Sequence, residues 1–450
     1  MKKTRIALLA SLPFLAVGSA TLLAGCNAKK YDATLTIYNW EDYMYEGTDE
    51  DGNAVDDEMW VKFEKFYKKE TGKTIKVNYE TFGTNEEMYQ QIQLGAISPD
   101  LICPSDYMIQ KMANDGMLEK FSYNNDEDTY GESLSNWDEY GSPYIRERFK
   151  AEKLKDGKTS FLQYAVPYFW GTMGFTYDPD HFTAEDVSTW ECLWSTESKF
   201  QKEFSLKDSM RDTYLTGIFH VHREEILALD PNASDYTKKL GEYFNDCKDE
   251  TIAEVETALK AAKNSTVKIF EVDEGKDEIV KGNIHANLAW SGDAVFSMDS
   301  AESSASGKRL NYALPKEGSN VWFDGWCMPK GANVELAEAF VNFICNPENA
   351  ALCMDAVGYT SPIVGDEIWD LVNEWYAAED DEEETYEKDL SFYFGDSIEG
   401  EAKISAPKAE QGRQFDAQYP TLDDLKRCCL MKDFGAQQEA VEAMWRRVKA

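Results

Sequence analysis

Positive charge is the first scarcity. Lysine and arginine number 46 against 83 aspartates and glutamates, a formal net charge of −37 over 450 residues. Nucleic acid and anionic membrane surfaces are bound through basic footprints, so neither is expected as a partner. Acidity suits a cationic ligand, but it also serves solubility. Histidine is scarcer still, with four in the chain. His220 and His222 lie two apart, on different faces of any helix, and no Cys-x-x-Cys pair occurs. No metal site is expected. Beyond residue 25 no apolar run is long enough to span a bilayer. The Gly-x-Ser-x-Gly elbow, a phosphate-binding glycine loop and His-Glu-x-x-His are all missing. Neither a catalytic centre nor a cofactor is expected.

What is present begins at the N-terminus. Lys2, Lys3 and Arg5 precede an apolar run over residues 6–23, and Leu23-Ala24-Gly25 precedes Cys26. Basic start, short apolar core and small residues before a cut are the parts of a secretory signal. The cysteine directly after Leu-Ala-Gly is similar to a bacterial lipoprotein signal. Residues 1–25 would be removed, Cys26 lipidated, and 26–32 left as a tether. A membrane anchor fits less well, because Ser11, Pro13, Gly18 and Ser19 interrupt the run. The other eight cysteines sit mostly in apolar company and read as buried small hydrophobes. Export permits disulfides, with the pairing left open.

The remaining chain is too long for one small core and suits two lobes. Residues 33–38 alternate like a strand, and 59–71 read as an amphipathic helix with Trp60, Phe63, Phe66 and Tyr67 on one side. Residues 74–79 form a second strand, Asn85 caps a helix to Leu94, 100–103 is a buried strand, and 107–117 a helix. The alternation restarts after Tyr164, with strands at 287–290, 310–314 and 326–328 and a helix at 334–345. Such alternation implies largely parallel α/β sheets, with the chain crossing between units near Val166 and Ser319. Residues 45–58 look like an acidic insertion. A calcium loop is disfavoured there, because Gly52 is not at the sixth position that loop needs. The run 379–384 reads as solvated charge.

An aromatic beside an acid recurs where strands are expected to end. The instances are Trp40-Glu41-Asp42-Tyr43, Ser105-Asp106-Tyr107, Trp290-Ser291-Gly292-Asp293 and Trp322-Phe323-Asp324. Ligands of open α/β sheets bind beyond the carboxyl ends of strands, so these residues can converge. Aromatic faces attract ammonium groups and cover methylene chains, while carboxylates accept their hydrogens. Taken singly, each motif also fits a tryptophan packed beside a helix cap.

These motifs, with Ile37-Tyr38-Asn39-Trp40, 84–89, 100–105, 166–172, 187–194, 314–318 and 358–362, run collinearly along nearly the whole chain. As a set the sequence resembles the bacterial spermidine/putrescine-binding proteins of polyamine ABC transporters. The resemblance implies a two-lobed, periplasmic-binding-protein-like α/β fold with crossing hinge strands. It places residues 33–165 with about 320–376 in one lobe, and 166–319 with about 377–450 in the other. It implies a ligand site of Trp40, Asp42, Tyr43, Ser105, Tyr107, Asp212, Trp290, Asp293, Trp322, Asp324 and Tyr359. Asp42 would take a terminal ammonium, Trp290 and Trp322 would clamp the methylene chain, and Asp324 would hold an amine mid-site. Asp212 stands where the family more usually has glutamate, and Ser209 where spermidine-preferring members carry an acid. Asp293 matches the putrescine-preferring pattern, and Met431 replaces a glutamine that some members use. These departures point towards a diamine.

The resemblance further implies an extracytoplasmic monomer, held to the membrane only through its lipid, that serves a permease and its ATPase. Three alternatives stay open at this level. The same scaffold could hold another cationic solute or an amino acid, with Arg211 as the one basic residue available for a carboxylate. A surface hydrolase could pair Asp42 with Asp293. A sensory or adhesive lipoprotein would differ only in its partner.

Overall fold

The computed structural model describes residues 30–47, 57–272, 274–379 and 384–450. The expected N-terminal signal with Cys26, most of the acidic stretch 45–58 and residues 380–383 lie outside them.

In chain order the strands are β1 (Ala33–Trp40), β2 (Ile75–Phe82), β3 (Leu101–Ile102), β4 (Ala165–Tyr177), β5 (Phe204–Lys207) and β6 (Val267–Glu271). They continue with β7 (Ala286–Trp290), β8 (Asn311–Ala313), β9 (Ser319–Cys327), β10 (Thr385–Asp389), β11 (Lys403–Pro407) and β12 (Cys428–Cys429). The principal sheet runs β2-β1-β3-β9-β4-β7-β5-β6, with β12 on β9 and β8 on β4. β1 pairs in parallel with β2 and β3, and β5 in parallel with β6 and β7. Between these two parallel groups stand β4 and β9, antiparallel to each other.

β4 is buried over all thirteen residues. Its first half pairs with β9, and its second half, from Met173, pairs with β7 and β8. Trp170 accordingly lies in one hydrophobic core and Met173 in another. These are the crossing strands of a two-lobed α/β fold. The described residues beyond Ala377 divide between the cores. Leu390, Ile404, Tyr419 and Leu425 join the first, while Cys429 and Met431 join the second. Val441, Met444, Trp445 and Val448 pack with Tyr214 and Val255.

Local chemistry accounts for the elements. The helix Met59–Thr71 turns Met59, Phe63 and Tyr67 inward and stops at Gly72, whose φ of 75° suits glycine. Lys68 and Lys69 in its last turn complement the helix dipole. Phe66, expected on the inner side, is 41 % exposed and touches Phe343. The helix Asn85–Gln93 is capped by Thr84, whose hydroxyl accepts from the Glu87 amide, and not by Asn85. That frees Asn85 for the site described next. No helix among the described residues is long and apolar enough to cross a membrane.

Candidate functional site

Two strand ends and one strand middle bring the first group together. β1 finishes at Trp40, and the chain reverses through Asp42, whose φ of 52° is a left-handed turn that aspartate tolerates. The turn exposes Asp42 and drives Tyr43 inward. The Tyr43 hydroxyl donates to Asp324 Oδ2 at 2.6 Å. Asp324 is not at a strand end as the sequence pattern suggested. Trp322, Phe323 and Asp324 lie inside β9, which is buried throughout.

The other oxygen of Asp324, Oδ1, is buried and accepts no hydrogen bond of good geometry. Ser105, joined to Asp324 by a β-bridge, nevertheless helps hold its charge. Burial pushes the Asp324 carboxyl up to about 6, against the pull of Tyr43 and Ser105. Burial also drives the Tyr43 phenol well above its ordinary range, as does the adjacent Asp324, so Tyr43 stays a donor.

Ser105 opens the helix Asp106–Asn114. Asp106, itself buried, accepts from the Phe323 and Tyr107 amides and so pins this helix start to β9 beside Asp324. Asn85 donates to the Ser105 hydroxyl at 3.1 Å and the Tyr107 hydroxyl at 3.0 Å, and Tyr107 donates to Glu86.

A second group lies across the crossing strands. Tyr359 packs on Trp322 and Tyr43, with ring centroids 5.4 and 5.6 Å apart, and its hydroxyl donates to Asp293 Oδ1 at 3.0 Å. Asp293 is in the first turn of the helix Ser291–Ser303, directly after Trp290 ends β7. Gly292 makes this approach possible, since a Cβ there would fall 1.3 Å from Tyr359 Cδ1. Asp293 Oδ2 accepts from Lys207 Nζ at 3.0 Å, and the same ammonium lies 4.0 Å from the Trp290 ring centroid. Burial opposes charge on Asp293. Lys207, Lys276 and the Tyr359 hydroxyl outweigh it and hold the carboxyl below its usual range.

Asp212 is buried in the helix Met210–Val221, whose N-cap is Ser209. Burial raises its carboxyl, with Ser209, Lys207, Arg211 and Trp290 pulling the other way. Arg211 reaches back over the Tyr107 ring at 3.8 Å and the Phe434 ring at 4.4 Å, donating to the Lys432 carbonyl. The structure thus joins Tyr43, Ser105, Asp212, Trp290, Asp293, Trp322, Asp324 and Tyr359 through direct contacts or shared neighbours. Tyr107 connects through Asn85. Trp40 packs on Phe82 at 4.6 Å with its indole nitrogen buried and unpartnered, and Asp42 faces outward.

Sequence reasoning missed Lys207, Asn85 and Glu86. Lys207 ends the short strand Phe204–Lys207, so the strand-end rule that found Trp290 also applied to it. The histidines are less scattered in space than in sequence. His181 and His285 stack at 4.0 Å beside Glu203, their ring planes 14° apart. Nearly parallel rings aim their in-plane lone pairs alongside each other rather than at one point. His181 Nε2 is paired with the Lys199 carbonyl and His285 Nδ1 with Glu203. The arrangement does not suit a shared ion.

Comparison with known proteins agrees with this architecture. The chain is 26% identical over 355 residues to the spermidine/putrescine-binding periplasmic protein of Salmonella typhimurium, covering 77% of this chain and 83% of that one. It is 28% identical to the putrescine-binding periplasmic protein SpuD of Pseudomonas aeruginosa, over 77% and 82%. A Listeria monocytogenes structure assigned to spermidine/putrescine ABC transport superposes with a TM-score of 0.61 at 26% identity, covering 92% and 98%. The spermidine/putrescine substrate-binding protein PotD of Streptococcus pneumoniae gives 0.60 at 23% identity, over 93% and 99%, and speaks for the fold. Residues 62–366, more than half of the sequence, match the model of the bacterial extracellular solute-binding proteins. By that match, and by two α/β lobes carried on crossing strands, the chain belongs to the bacterial extracellular solute-binding protein family.

Proposed function

We propose that this protein captures a small polyamine outside the cytoplasm, a diamine such as putrescine ahead of spermidine, and delivers it to an ABC permease driven by its ATPase. The observation that carries this is Asp324: a buried carboxylate with one oxygen lacking a full hydrogen bond, among the rings of Tyr43, Trp322 and Tyr359. A half-satisfied buried charge is costly, and an ammonium donor relieves it. The rings supply cation–π attraction and cover for methylene groups. Asp212 offers a second carboxylate on the other side of the crossing strands.

In this reading the solute bridges the lobes and stabilises their closed arrangement, which the permease recognises, and no bond is made or broken. The relatives named for polyamine binding support the solute class. The hydrolase alternative loses support, because Asp42 is exposed while both Asp293 oxygens are engaged by Tyr359 and Lys207.

Calorimetric titration with putrescine, cadaverine, spermidine and spermine tests the proposal. Binding of the amines supports it, and binding of an amino acid with no heat from any amine refutes it. The N-terminal pattern supports a protein anchored by lipid on Cys26. On that proposal Cys26→Ser releases the protein from the membrane fraction, and retention there would refute the anchor.

A further inference from the structure

Lys207 is only 2 % exposed. A buried ammonium persists where its hydrogens find acceptors and its charge an opposite. Lys207 donates to the Val272 carbonyl at 2.8 Å and to Asp293 at 3.0 Å, with the Trp290 ring face at 4.0 Å. A carbonyl, a carboxylate and an indole face are what a free alkylammonium requires of a binding site. Trp290 and Asp293 are also two of the residues expected to hold the solute. The chain therefore seats its own ammonium where one from solution would lie.

This changes the charge of the site. Asp106 spends its carboxylate on the Phe323 and Tyr107 amides. Of the three buried carboxylates expected to face the solute, Asp293 is in direct ion pairing with Lys207. Asp212 and Asp324 are in no ion pair among the described residues, and burial raises both carboxyls. Two carboxylates match two ammonium groups. A third ammonium entering beside Trp290 would meet the buried Lys207 instead of a free carboxylate, a like-charge contact.

We infer that Lys207 is the specificity-determining residue of the site, a built-in cation that occupies one amine position and restricts the solute to a diamine. The inference rests on the polyamine reading above and goes beyond it in assigning the selectivity to one side chain.

The experiment is calorimetry of putrescine and spermidine against the wild-type protein and Lys207→Met, whose side chain is similar in length without the charge. The wild type is expected to bind putrescine more tightly. Lys207→Met is expected to raise the spermidine-to-putrescine affinity ratio at least about tenfold. In Lys207→Met/Asp293→Asn that gain should disappear, because the freed carboxylate is gone. A folded Lys207→Met with the wild-type ratio overturns the inference. So does a wild type that binds spermidine at least as tightly as putrescine, a result that stands whether or not the variant folds. A wild type that binds no amine refutes the polyamine reading itself and takes this inference with it.

Discussion

The Lys207 ammonium stands 4.0 Å from the centre of the Trp290 ring, on strand ends separated by more than eighty residues. From that contact a continuous path runs through Asp293, the Tyr359 hydroxyl and the Tyr359 ring to Tyr43 and Asp324. It links both sides of the crossing strands without passing through their backbone. A solute lying along it touches groups from each lobe, which is the condition for ligand-driven closure.

Asp324→Asn separates binding from folding. Removing a buried carboxylate that faces an ammonium costs about 3 kcal/mol, or roughly a hundredfold in affinity. The unliganded variant should melt at or above the wild-type temperature near pH 8, since a buried charge with an unsatisfied oxygen has been removed. Unchanged affinity by calorimetry would take Asp324 out of the solute contact.

Affinity should fall as pH drops through about 6, where Asp324 takes up a proton in the empty site. Only the ionised carboxylate attracts the ammonium, so each pH unit below that point costs about tenfold. The effect on the unliganded fold has the opposite sign. A carboxyl raised above its ordinary 3.8 binds its proton first in the folded state, so this group's contribution to stability grows as pH falls from about 6 towards 3.8. Asp212, raised in the same direction by burial, adds to both trends. Titration near pH 6 in buffers of different ionisation enthalpy should detect proton release on binding. The same heat in all buffers would contradict the raised carboxyl.

Gly292→Ala inverts the usual helix rule. Alanine in a helix interior normally gains about 1 kcal/mol over glycine. Here its methyl would collide with the Tyr359 ring, which would have to leave both Asp293 and Trp322. A lower melting temperature and an affinity loss of at least about tenfold are expected. A variant that melts higher and binds normally would show that Tyr359 does not pack there.

Reductant should leave the melting temperature unchanged. Cys103, Cys192, Cys247, Cys327, Cys345, Cys353, Cys428 and Cys429 are all free thiols, and every one except Cys247 is buried. Burial raises the thiol of Cys247 and those of its seven counterparts, disfavouring the reactive thiolate. A thiol reagent should therefore modify the native protein slowly, Cys247 foremost. Loss of stability on reduction would reveal a disulfide.

Much of the fold was legible because local signals are short-ranged. The helix Met59–Thr71 has the bounds its pattern predicted, since apolar spacing and a terminal glycine act within a few residues. Trp290 marked the end of β7, as the strand-end rule required. β9 was harder: strands between two layers are buried on both faces, so its nine residues show no alternation. Only its last part was read as strand, and Trp322 and Asp324 were placed at an end rather than in the middle.

By itself the sequence determined elements such as the helix Met59–Thr71 and the strand ending at Trp290, and the set of rings and carboxylates available for a cationic solute, because propensity, periodicity and capping act between near neighbours. Tertiary structure alone decided which of them meet. Tyr43 and Asp324 are 281 residues apart, and sheet order and register put the phenol on the carboxylate. The same pairing buries Lys207 against Asp293, and burial, which no local pattern encodes, turns that lysine from ordinary surface charge into part of the site.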